Sequence, residues 1–137
     1  MINNLTKILY VTIIMLILDS LFIYSNKHIF MNQVLIVQKS PMKINFTSTL
    51  LCYAFMVFGL YYFIIKDNKS IQDAILLGIT IYSIFELTNK SLFSEWNYKT
   101  VLLDSIWGGL LFGTTTYILQ NIYQSKNMLD IHPASII

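Results

Sequence analysis

A chain of 137 residues with 55% hydrophobic and only 12% charged side chains, at a mean hydropathy of +0.61, has more apolar surface than a water-soluble fold of that length can bury; soluble domains run at about 25% charged. The formal charge of +2 comes from lysines scattered at the ends of apolar runs, with no arginine, which excludes a nucleic-acid-binding stripe. The single cysteine, Cys52, lies inside an apolar run and excludes an intramolecular disulfide and any CxxC zinc spacing; it reads as a small core residue. No linker divides the chain, so residues 1–137 are read as one membrane domain, multi-pass, with lipid as its first partner.

A spanning helix needs about 20 mainly apolar residues. Four stretches meet this, at about residues 5–24, 46–65, 71–89 and 101–123. The first lacks a small-residue cleavage site and is expected to stay in the mature chain. Between the first and second spans, about residues 27–39 set Ile29, Phe30, Val34, Leu35 and Val37 among Lys27, His28, Asn32, Gln33 and Gln38, the pattern of an amphipathic helix lying in the interface. Ser40-Pro41 ends it, because a residue before proline is pushed out of helical geometry. The second span carries Phe55, Phe58, Tyr61, Tyr62 and Phe63 towards Lys66 and Lys69, an aromatic belt under snorkelling lysines. The short connection at 66–70 makes the second and third helices antiparallel neighbours. Residues 90–99 form the next loop, with Trp96 and Tyr98, and 124–137 form a short C-terminal tail containing Pro133. The fold class expected is therefore an all-α integral membrane protein, a four-transmembrane-helix bundle with an interfacial helix after the first span.

Four spans put both termini and the 66–70 turn on one face, here the terminal face; the longer connections lie on the loop face. Lysines divide almost evenly, with Lys7, Lys66, Lys69 and Lys126 on the terminal face against Lys27, Lys39, Lys43, Lys90 and Lys99. The positive-inside rule gives no orientation from such a balance.

Three carboxylates fall inside the spans: Asp19, Glu86 and Asp104. Each costs several kcal/mol in a bilayer unless paired or hydrated, so ionisable residues there mark candidate sites. Each lies one to two turns from the loop face, and at a rise of about 1.5 Å per residue all three sit at one depth. Asn89 and Ser83 share the face of Glu86, and Trp107 follows Asp104 by three residues. Asp19, Glu86, Asn89, Asp104 and Trp107 are thus the candidate ion- or substrate-binding residues. Converging acids can relay a proton or bind a cation, can supply acid and base to a substrate entering from the lipid, and with Asn89 suit a hard divalent metal. His28 alone makes little of a transition-metal site. The competing reading makes these acids interfacial residues reaching for water, with Asp104 favourably placed in the first turn of its helix.

In the fourth span Ser105, Gly109 and Gly113 follow one another by four, the small-xxx-small pattern of close helix contact. Packing within the bundle is the first reading and a homo-oligomer the second. Thr114, Thr115, Thr116 and Gln120, with Thr80 on the third span, could extend a polar path towards the terminal face, although threonines also bond their own helix backbone.

The runs Tyr82-Ser83-Ile84-Phe85-Glu86-Leu87-Thr88-Asn89 and Leu103-Asp104-Ser105-Ile106-Trp107-Gly108, with Trp96 between them and Leu18-Asp19 in the first span, resemble the 2177 family, small predicted membrane proteins catalogued as a domain of unknown function. The resemblance covers essentially the whole chain. The family pattern has aspartate where this chain has Glu86, tyrosine at Phe85 and tryptophan at Phe22. It implies four-helix topology and points to the same acids, and it implies no activity. No Walker, Ser-His-Asp, HExxH or GxGxxG motif accompanies it, and no cofactor is indicated. The first functional expectation is proton- or cation-linked transport through Asp19, Glu86 and Asp104, within an oligomer. The second is a membrane-embedded enzyme using the same acids on a lipid or isoprenoid-like substrate. The third is a structural envelope component.

Overall fold

The computed structural model describes residues 3–131, with side chains to Lys126. Among the described residues the chain is helical throughout: α1 (Asn4–Gln38), α2 (Phe46–Leu60) continued by a π-helical turn (Tyr61–Ile65), α3 (Ile71–Leu92) and α4 (Tyr98–Ile131).

Local chemistry sets most of the boundaries. The Asn3 side chain accepts the Thr6 N–H at 2.8 Å to start α1, and Asn45 does the same for Ser48 at 3.0 Å to start α2. The π turn is closed by the Lys66 N–H on the Tyr61 carbonyl, five residues back, at 2.8 Å. Asn68 then turns the chain in a left-handed conformation (φ 49). Ser70 and Asp73 form a reciprocal capping box that opens α3.

Two expectations are corrected. The segment at about 27–39 is not a separate interfacial helix; α1 runs unbroken for 35 residues, about 52 Å, against about 30 Å of bilayer hydrocarbon. The polar pair between the expected span and the expected interfacial helix satisfies its own helix: Ser25 Oγ donates to the Leu21 carbonyl and Asn26 Nδ2 to that of Phe22. The helix ends only at Lys39, left-handed at φ 58 just before Ser40-Pro41. Likewise the helix expected to end at 123 runs on through residues 124–131 of the expected short tail, because neither glycine nor proline interrupts the chain before Pro133. The part of the expected tail at 132–137 lies outside the described residues.

α1, the stretch Phe46–Ile65 and α3 are each long and apolar enough to cross a membrane. α4 is diluted by Asp104, its glycines and its threonines, yet it folds back along α3 and turns Leu102, Ile106 and Leu110 outward. Exposed apolar side chains occur on all four helices, with Leu5, Phe55 and Leu76 among them. Lipid is the solvent that such a surface requires.

The closest helix pair is α3 with α4, and glycines set it. A Cβ added at Gly78 would collide with the Gly108 carbonyl, and one at Gly108 would stand 2.5 Å from the Tyr82 ring. Gly109 seats Ile79 and Gly113 seats Ile75. The smooth face of α4 is therefore occupied by α3. Towards the terminal face Val11, Met15, Leu60, Ala74, Leu111, Phe112 and Leu119 pack into a fully buried core. α2 stands further off, and a groove remains between it and α1.

Candidate functional site

Asp19 is 6% exposed, and both of its oxygens are used: Oδ2 accepts the Tyr53 hydroxyl at 2.5 Å and Oδ1 accepts the Trp107 indole N–H at 2.8 Å. Trp107 is held flat against Phe22, with centroids 4.3 Å apart and planes at 4°, and Phe22 meets the edge of Phe30. Phe22 follows Asp19 by three residues, so one face of α1 supplies both the acid and the platform that aims its donor. On α3, Glu86 is 1% exposed and its Oε2 accepts the Trp96 indole N–H at 2.7 Å. Asp104 on α4 lies beside Glu86, with Asp19 as the next acid. Tyr82, one turn before Glu86, adds a further ring, its hydroxyl 3.9 Å from Met56 Sδ.

Trp96 belongs to no helix, and its position depends on α1. The Gln33 side chain, 4% exposed, donates from Nε2 to the Glu95 carbonyl at 3.0 Å. Its Oε1 accepts the Asn97 N–H at 3.0 Å and the Thr100 hydroxyl at 3.2 Å. The overlong end of α1 thus clamps the loop on both sides of Trp96. This is why the extension matters: an α1 ending at the membrane surface would leave that loop untethered.

The candidate residues are not all together. Glu86 and Asp104 are side by side, and Asp19 with Trp107 forms a neighbouring, separately bonded unit. Asn89 is half-buried, and what it visibly contributes is its carbonyl, which takes the Phe93 N–H that ends α3. Ser105 is buried with no hydrogen-bond partner among the described residues, while Ser20 is exposed. No three metal-ligating side chains come together among the described residues, and His28 is exposed. The polar residues towards the terminal face are largely tied down elsewhere. Thr80 and Thr116 bond the Leu76 and Phe112 carbonyls of their own helices, Gln120 bonds the Lys69 carbonyl, and fully buried Leu111, Phe112 and Leu119 lie among them.

Sequence reasoning passed over Tyr53 and Gln33. Tyr53 did carry a signal, being a phenol in mid-span. It also lines a cavity of about 640 Å³ between α1 and α2, walled almost wholly by apolar groups that include Leu16, Phe46, Leu50, Val57 and Phe58. Phe46, Leu50 and Phe58 are more than half exposed, so the groove opens sideways to the surface that faces lipid. Its wall and the hydrogen bond to Asp19 meet in a single side chain.

A helical, multi-pass membrane protein with buried acids near one face is the class these features define. The chain belongs to the family described as "Predicted membrane protein (DUF2177)", whose model matches residues 4–120 and so takes in α1 to α3, most of α4 and every residue of the site. No curated protein and no solved structure matches the chain.

Proposed function

We propose that the protein is a membrane-embedded acid–base enzyme for a lipid or isoprenoid-like substrate that reaches Asp19 sideways, along the groove between α1 and α2. The observation carrying this reading is Tyr53, which forms part of the apolar wall and donates to Asp19. The acids lie near one face only, and an apolar core separates them from the other, an arrangement that favours lateral access over passage through the bundle. The Glu86–Asp104 pair would give a proton and Asp19 would receive one. A double bond protonated at one carbon and deprotonated at another balances with these groups alone, and the rings of Tyr53, Tyr82, Trp96 and Trp107 suit a transient positive charge.

The test is deuterium transfer. Purified protein in vesicles of native lipid extract is incubated in D2O, and the lipids are read by mass spectrometry. Wild type should place deuterium on carbon in one lipid class, Glu86→Gln should not, and Leu50→Trp, which fills the groove, should slow the exchange while remaining folded. The rival reading, proton- or cation-linked transport, draws on carboxylates whose hydrogen-bond partners among the described residues include no lysine. No carbon-bound deuterium, together with an ion flux lost in Glu86→Gln and unchanged in Leu50→Trp, would refute the enzyme and establish transport.

A further inference from the structure

At the opposite face from the acids, Lys7 in the first turn of α1, Asn68 in the turn after α2, and Gln120, Tyr123 and Gln124 on α4 enclose a cavity of about 340 Å³. Its lining holds one full positive charge, three primary amides and a tyrosine ring, and no acid. Lys7 Nζ is placed 5.4 Å over the Tyr123 ring rather than trailing into solvent. The Tyr123 hydroxyl itself is buried behind that ring, so the cavity meets the ring and the Lys7 ammonium over it. Gln120 Nε2 donates to the Lys69 carbonyl at 3.1 Å, which fixes the turn carrying Asn68 against α4. Donors of this kind around one ammonium group recognise an oxyanion. Leu5 and Leu9, on either side of Lys7, are exposed apolar residues, which sets the cavity at the border of hydrocarbon and headgroups.

We infer that this cavity is a binding site for the phosphate of an anionic glycerophospholipid in the leaflet at the terminal face. It is independent of the acid site and of the function proposed for it. Lys66 and Lys126 rest over Tyr62 and Tyr10, and neither they nor the Lys69 side chain line the cavity.

The full chain in detergent, titrated with phosphatidylglycerol or phosphatidylcholine, tests this by native mass spectrometry and thermal melting. One equivalent of phosphatidylglycerol should bind and raise Tm, and phosphatidylcholine should not. Lys7→Gln should weaken that binding by about tenfold or more, the scale of a lost charge-assisted hydrogen bond. Gln124→Glu, at an exposed position that tolerates change, should do the same by setting a carboxylate at the mouth, and it carries the test if Lys7→Gln does not fold. Lys66→Gln should cost about fivefold at most, the effect of one surface charge. Equal losses in Lys7→Gln and Lys66→Gln would reduce the effect to diffuse attraction and overturn the site. Inorganic phosphate raising Tm as much as the lipid at equal concentration would make it a site for free phosphate and overturn the assignment to lipid.

Discussion

Gln33→Ala removes a side chain that hydrogen-bonds to none of Asp19, Glu86 and Asp104, yet it should disturb their site. Three hydrogen bonds from Gln33 hold the Glu95 carbonyl, the Asn97 N–H and the Thr100 hydroxyl. At about 1 kcal/mol net each, less about 1 kcal/mol for the side-chain entropy that Gln33 gives up, their loss costs the loop about 2 kcal/mol. Because the loop sits at one end of the bundle, that cost is local, and opening of the loop becomes about 30-fold more frequent while the global fold persists. Amide exchange at Asn97 should accelerate by that factor. The chain contains two tryptophans, so 5-fluorotryptophan labelling gives one fluorine resonance for Trp96 and one for Trp107. Trp96 should broaden or shift, and Trp107, held on Phe22 and Asp19, should not. Unchanged exchange at Asn97 with an unmoved Trp96 resonance would refute the clamp, and equal movement of both resonances would show a global loosening instead.

Glu86→Gln keeps an acceptor for the Trp96 N–H and should melt within a few degrees of wild type while losing function, whereas Glu86→Leu strands that donor and should cost about 1–3 kcal/mol in denaturant unfolding. Tyr53→Phe leaves the groove wall in place but takes one of the two donors from Asp19; Tm should fall, and deuterium transfer should fall further than in Leu50→Trp if Tyr53 positions Asp19 for the chemistry. Gly108→Ala forces a methyl group against the Tyr82 ring and the Gly78 carbonyl, and overpacking of this kind costs about 1–3 kcal/mol, read as reduced yield of folded protein on size exclusion. Ser70→Ala removes the cap of α3 and should cost about 1 kcal/mol of thermal stability without touching either site.

The helices were legible because apolar runs near the length of a bilayer, bounded by asparagine, serine or proline, leave few alternatives. The ends of α1 and α4 were not. Ser25 and Asn26 look like a break when polarity alone is read, but their side chains turn back onto Leu21 and Phe22, and that choice is visible only once the helix exists. For the site, counting residues from the span ends placed Asp19, Glu86 and Asp104 at one level. It could not say that Glu86 faces Asp104 while Asp19 is bound elsewhere, because depth fixes height and leaves rotation about each helix axis free. Gln33 was hidden for another reason: its partners lie more than 60 residues away, and no local pattern marks a glutamine that clamps a distant loop.

Asp19 has a further consequence in the order of synthesis. Its two donors come from Tyr53, on the second helix, and Trp107, on the last. When α1 first enters the bilayer from a growing chain, neither residue has yet reached the membrane. The aspartate must be carried by the surrounding leucines and isoleucines of its own helix, against an insertion cost of about 2.5–3.5 kcal/mol for such a group at mid-membrane and less towards the surface. Its placement near one face eases that wait. Trp107 closes the second hydrogen bond only after the chain has crossed for the final time, so the arrival of α4 both completes the bundle and relieves the unpaired acid in its first helix.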